Sequence, residues 1–130
     1  MINFFMGVLF VVCIVVILLE VFPIVHVDGI SMFPTYNDDD LLISYRLCKK
    51  RDIKVGDVVV AERPDVKKRY VIKRVSLIGE DPVTKKRTFY LLGDNSNNSL
   101  DSRHFGGVSE KLIVSKIIYP YRMKEELPYE

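Results

Sequence analysis

The polar and apolar positions of the chain fall into two regimes, and the first is an unbroken apolar run. From Ile2 to Leu19 (INFFMGVLFVVCIVVILL) there is no charged side chain. Residues 9–19 are apolar on every side of a helical wheel, so a helix here has no polar face to turn towards water. Eighteen helical residues reach roughly 27 Å at about 1.5 Å each, close to the ~30 Å hydrocarbon layer of a bilayer. Val21, Phe22, Ile24 and Val25 extend the stretch around Glu20. The pattern predicts one membrane-spanning helix over residues 1–22, ended by Pro23 at the interface. A cleavable secretory signal and a buried core helix are the competing readings. The run carries no cationic residue ahead of it and no small-x-small site before Pro23, so a retained anchor is expected.

Beyond Pro23 the helical pattern stops. Six runs rich in Val, Ile, Tyr and Phe, at 24–27, 41–45, 57–62, 69–78, 88–92 and 112–119, are separated by clusters of Gly, Pro, Asn, Asp or Lys. Such runs read as strands. The expected architecture is mainly β: a domain of short antiparallel strands over residues 23–120, behind one N-terminal transmembrane α-helix, with residues 121–130 as a C-terminal tail. Asp81-Pro82-Val83-Thr84-Lys85-Lys86 reads as a hairpin tip. Roughly 110 residues outside the helix are enough for one modest core.

Composition narrows the function classes. In a chain of 130 residues, 19 Lys and Arg against 17 Asp and Glu give a net charge of +2, which does not nominate nucleic acid as a partner. The basic clusters Lys49-Lys50-Arg51, Lys67-Lys68-Arg69 and Lys85-Lys86-Arg87 read as solvated turns. Cys13 and Cys48 lie in unlike surroundings and there are two histidines, so neither a disulfide framework nor a zinc cluster is expected, and no cofactor is implied.

Three segments are too polar or too irregular for plain strand connections. In Val27-Asp28-Gly29-Ile30-Ser31-Met32-Phe33-Pro34-Thr35 a strand stops at a glycine, and Ser31 stands between bulky residues ahead of a proline. This is either a turn with an incidental serine or a strand-end nucleophile, with Gly29 admitting a substrate backbone. In Tyr70-Val71-Ile72-Lys73-Arg74-Val75, strand alternation sets Lys73 and Arg74 on opposite faces, so one of the two must face an apolar side or a cleft. If that one is Lys73, desolvation makes a neutral amine available as a base near pH 7; otherwise it is an edge-strand lysine that discourages aggregation. In the loop from Leu92 to Gly107, Ser and Asn hydroxyls and amides either satisfy their own backbone or orient a base, with an Asp–Arg pair fixing the shape.

Taken together the segments resemble type I signal peptidases, the serine–lysine dyad family S26, in a small bacterial-type form. The match runs from an N-terminal anchor through Gly29-x-Ser31-Met32-x-Pro34-Thr35, Val55-Gly56-Asp57-Val58-Val59-Val60 and Lys73-Arg74 to Gly93-Asp94-Asn95-x-x-x-Ser99-x-Asp101-Ser102-Arg103-x-Phe105-Gly106. It covers nearly the whole chain. The resemblance implies a membrane-anchored endopeptidase that cuts signal peptides from exported preproteins after A-x-A-like sites. By the same resemblance Ser31 is the nucleophile and Lys73 the general base, Ser99 hydrogen-bonds the lysine, and Gly29 and the Ser31 N–H serve the oxyanion hole. Asp101, Ser102 and Arg103 brace the loop, and the substrate adds as a β-strand beside residues 24–29 and 69–73.

The chain departs from the family pattern in three places. Gly29 stands where some relatives have a serine. Val75-Ser76-Leu77-Ile78-Gly79-Glu80-Asp81 replaces a Gly-x-Pro-Gly-Asp turn, so a large accessory domain is not expected. Ser96 and His104 replace residues that are often Arg and aromatic. Partners expected are signal-peptide-bearing preproteins and the lipid bilayer, with the β-domain on the extracytoplasmic face of the cell membrane. The nearest basic residue to the helix, Arg46, is far enough along the chain that charge does not hold the domain in the cytoplasm. Other readings are a Ser–His–Asp triad through His26 or His104, a self-cleaving LexA-like dyad without its DNA-binding domain, and a catalytically weak or inactive β-domain that binds signal peptides or export machinery.

Overall fold

In the computed structural model, which describes residues 1–124, a helix α1 spans Ile2–Val21 and seven strands follow: β1 Ile24–His26, β2 Leu41–Tyr45, β3 Val58–Glu62, β4 Tyr70–Glu80, β5 Arg87–Leu92, β6 Val108–Ser109 and β7 Ile113–Tyr119. Between β5 and β6 lies a single helical turn, α2, over Ser102–Phe105. The strands form one antiparallel sheet in the order β1-β2-β7-β3-β4-β5-β6. The mainly β architecture behind one apolar helix is the one expected from the sequence. Residues 125–130 of the expected tail lie outside the described residues.

No residue of α1 is buried against the domain. The helix is long and apolar enough to cross a membrane, with a mean hydropathy of 3.0. Its end is fixed to β2. The Arg46 N–H donates to the Val21 carbonyl, and Arg46 Nη1 lies 3.0 Å from Glu20 Oε2. Phe22 stacks on Tyr45 with ring centroids 5.4 Å apart. The Ser44 N–H and hydroxyl both donate to the Pro23 carbonyl.

The sheet carries core on both faces, and β3 explains how. Four successive residues, Val58 to Ala61, are buried. Alternation sends Val59 and Ala61 into one cluster with Ile53, Val75, Phe89, Leu91, Val108 and Ile113. Val58 and Val60 go into the other, with Val27, Met32, Tyr36, Leu42 and Ile117. A continuous apolar run of this kind marks a strand covered on two sides. The second cluster holds the turn after β1 against the sheet, which is why the Ser31 segment has a fixed place.

The hairpin tip at residues 81–86 is present between β4 and β5, with Asp81 Oδ1 accepting from the N–H groups of Val83 and Thr84. The run at 57–62 begins as a strand only at Val58, because Asp57 closes a turn by accepting from the Lys54 N–H. β6 and α2 were not in the sequence reading, nor were three short 3-10 turns over Lys50–Asp52, Ser96–Asn98 and Glu110–Leu112. Elements of two to four residues are too short to generate a period.

Candidate active site

Two free strand edges frame a cleft of about 500 Å³ lined by Val25, Val27, Ser31, Met32, Ile72 and Lys73 among others. One edge belongs to β1, which pairs only with β2. The other belongs to the first residues of β4. Tyr70 to Lys73 pair with β3, while β5 joins β4 only from Arg74 onward. Each edge leaves backbone N–H and C=O groups available to an added extended chain.

Ser31 and Lys73, 42 positions apart in sequence, meet at the floor of this cleft: Lys73 Nζ is 2.8 Å from Ser31 Oγ. Lys73 is 4% exposed. Burial lowers its pKa from the ordinary lysine value to about 8; the Asp101 charge works against this and the Arg63 charge with it. The sequence left open which of the two adjacent cations is buried, and both are. Arg74, on the opposite face, is 8% exposed and makes a bidentate pair with Asp94, Nε to Oδ1 at 2.9 Å and Nη2 to Oδ2 at 2.8 Å. It also donates to the Gly56 carbonyl. The donors of the Arg74 guanidinium are matched by Asp94 and the Gly56 carbonyl, whereas Lys73 Nζ faces a hydroxyl, which offers its charge less than a carboxylate would.

The turn that carries Ser31 is held from several sides. Gly29 has φ +95°, a conformation costly for side-chain-bearing residues, and its N–H donates to Asp38 Oδ1 at 2.8 Å. That N–H is therefore engaged within the turn, and the geometry gives Gly29 a conformational part. The Ser31 N–H has no acceptor among the described residues. Met32 and Tyr36 are each 1% exposed and anchor the turn in the core. Across the cleft floor, the Asn95 N–H donates to the Ser31 carbonyl at 2.9 Å and Asn95 Nδ2 to the Ile30 carbonyl at 3.0 Å. Thr35 Oγ1 donates to Asp94 Oδ2 at 2.6 Å.

The loop from Gly93 to Gly106 presses against this turn. A Cβ on Gly93 would stand 2.5 Å from Ser99 Cβ and 2.7 Å from the Ser31 carbonyl oxygen, so only glycine allows the approach. Asp101 is fully buried and accepts from the Gly93 N–H at 3.0 Å, the Arg103 N–H at 3.1 Å, and the Arg103 guanidinium at 2.9 Å through each oxygen. Burial alone would raise the pKa of this carboxyl, but the Arg103 side chain and the two backbone donors outweigh it and hold the group well below the usual carboxylate range. Ser102, also buried, accepts from the Leu91 N–H at 2.8 Å through Oγ. Ser99 is at the site but does not make the hydrogen bond to Lys73 expected of it. Its Oγ is buried with no partner of normal geometry, though it lies near enough to Asp101 to add to the lowering of that pKa.

The histidines stand apart. His26, at the cleft rim, pairs with Asp39 at 3.0 Å, and His104 is exposed on α2. Among the described residues neither is hydrogen-bonded to Ser31, and no cluster of three His, Cys, Asp or Glu is placed to hold a metal ion. The sequence reading missed the work of Asp94, Asn95, Thr35 and Arg122. The first three lay inside the quoted motifs without a role, and among the motif carboxylates sequence separation alone would have paired Arg74 with Asp57, 17 positions away, before Asp94, 20 positions away. Arg122 carried no signal.

A family model described as signal peptidase, peptidase S26, matches residues 1–86 and 77–122. Mitochondrial inner membrane protease subunit 1 of Schizosaccharomyces pombe is 37% identical over 112 residues, 75% of this chain and 71% of that protein. Mitochondrial ATP-independent inner membrane protease subunit 1a of Arabidopsis thaliana is 35% identical over 111 residues, 72% of this chain and 66% of that one. Signal peptidase I of Buchnera aphidicola is 43% identical, but over 37 residues, 28% of this chain and 12% of that protein. The long matches therefore run to mitochondrial inner membrane protease subunits, whereas the sequence alone suggested a small bacterial type.

Proposed function

Since the chain belongs to the peptidase S26 signal peptidase family, we propose that it is a membrane-anchored serine endopeptidase using Ser31 and Lys73 as its dyad, cutting signal-type peptides after small residues. The observation that carries this reading is the 2.8 Å contact between Lys73 Nζ and Ser31 Oγ inside a cleft with two open strand edges.

The chemistry follows from the groups present. A peptide extended along the edges of β1 and Tyr70–Lys73 presents its carbonyl carbon to Ser31 Oγ. Neutral Lys73 takes the hydroxyl proton as the oxygen attacks, and the carbonyl oxygen gains the negative charge. The Ser31 N–H is the available backbone donor for that oxyanion. Collapse of the tetrahedral intermediate breaks the C–N bond. The Lys73 ammonium returns its proton to the departing amine and is again neutral to activate a water, which releases the acyl group from Ser31. Asp101, Arg103, Asn95 and Gly93 act by holding the surfaces on which this geometry rests.

The helix and the inner-membrane address of the named relatives support a single-pass anchor. The proposed placement of the domain is the extracytoplasmic face of the cell membrane, where signal-peptide junctions emerge. Preproteins and the bilayer are the partners this implies. On a peptide carrying an A-x-A site, Ser31→Ala and Lys73→Ala should each abolish cleavage with the fold intact, and the double variant should be little worse than either. Losses that multiply, or cleavage that survives Ser31→Ala, would overturn the dyad.

A further inference from the structure

The chain does not leave the domain when β7 ends at Tyr119. It turns back along the Ser31 turn. Tyr36 Oη donates to the Pro120 carbonyl. Arg122 Nη1 donates to the Thr35 carbonyl at 2.9 Å, and its guanidinium carbon lies 5.6 Å from the centroid of the Tyr36 ring. At its other end, the backbone carbonyl of Arg122 accepts from Arg74 Nη2 at 3.1 Å. Thr35 is four residues past Ser31, and Arg74 is the residue after Lys73. Arg122 thus holds the turn of one dyad member through its side chain and the strand of the other through its backbone.

We propose that Arg122 is a positioning residue of the dyad, a two-ended strap that sets the Ser31 turn against the Lys73 strand. This rests on the dyad reading above. Met32 and Tyr36 already anchor the turn in the core, so the turn stays folded without the strap. Asp94 bonds both Thr35 and Arg74 on one side, and Arg122 adds a second tie that limits the slide of Thr35 relative to Arg74, and with it the Oγ–Nζ separation. A displacement of ~1 Å at a reacting pair can cost about 10²-fold in rate. The guanidinium suits the task because its rigid fork bonds a carbonyl while its plane rests on an aromatic ring; a lysine offers a point charge with no plane.

The test uses the full-length chain in detergent micelles, with Arg122→Ala, Arg122→Lys and, as a control, Lys124→Ala. Arg122→Ala should lower kcat about ten-fold or more with KM within two-fold, and Arg122→Lys should recover part of the loss. Hydrogen exchange read by mass spectrometry should quicken several-fold over residues 30–36 in Arg122→Ala, with residues 80–87 unchanged. That arm does not depend on peptide cleavage. If Arg122→Ala does not fold, Tyr36→Phe, which removes only the bond to Pro120, is expected to show the same selective exchange and a smaller fall in kcat. Unchanged kcat, a loss confined to KM, or unchanged exchange over residues 30–36 would overturn the strap. The two readings fail separately: a Ser31→Ala variant that still cleaves overturns the dyad and the strap with it, whereas an inactive Ser31→Ala beside a fully active Arg122→Ala overturns the strap alone.

Discussion

A lysine becomes a base near neutral pH when burial removes most of what its charge gains from water. Lys73 is in that position, with its pKa lowered to about 8 and a hydroxyl in place of a carboxylate as its hydrogen-bond partner. In the proposed dyad the active form is the neutral one, so kcat/KM should rise with pH through about 8 and flatten above it. A variant with both His26→Gln and His104→Gln should keep that limb, and a limb that vanished with the histidines would point to a triad. At this scale the local signals of Ser31, two residues past a strand-end glycine, and of Lys73, within a β-prone run, each left a bland reading open, and it was the order of the motifs that singled the two residues out. The tie between Ser99 and Lys73 was expected by resemblance, and Ser99 instead packs against Gly93. No pattern in one sequence reports which way a hydroxyl points.

Among the elements, β4 carries the site, because alternation places Lys73 in the cleft and Arg74 in a second buried network on the other face. The Arg74–Asp94 pair has both side chains under 10% exposed. Such a pair adds little net stability against an apolar replacement, but removing one partner strands a charge in the interior. Asp94→Ala should therefore destabilise the domain by about 3–5 kcal/mol, read by thermal or denaturant unfolding, and a loss near zero would mean that water reaches Arg74. The strands were legible from their apolar runs and turn residues. Their order was not: β7 lies between β2 and β3, a pairing set by packing between segments distant in sequence. The work of residues 120–122 was hidden for the same reason, since a segment read as tail has no period and gains its meaning only from Thr35, Tyr36 and Arg74.

Across the whole molecule, α1 and the β-domain are joined directly. The first strand starts three residues after α1 ends, and Arg46, remote from the helix in sequence, returns to its end to pair with Glu20. Ser31 follows ten residues after Val21, so on the proposed anchoring the cleft lies near the membrane surface where a peptide junction would arrive. Protease added outside intact cells stripped of their outer layers should digest the β-domain, and a reporter fused after Glu130 that works only in the cytoplasm should be silent. A protected domain with an active reporter would overturn the extracytoplasmic placement.

If Ser31 Oγ attacks the substrate with Lys73 as its base, an acyl-enzyme on Ser31 should be trappable. A peptide thioester ending in a small residue, reacted with the full-length protein and quenched in acid, should leave its acyl mass on the protein, and fragment mapping should place it on Ser31. Ser31→Ala should take up none, and Lys73→Ala should acylate at least about 100-fold more slowly, in line with the contribution of a positioned general base. An acyl group mapped to any other residue, or acylation of Ser31 at the full rate without Lys73, would contradict the account.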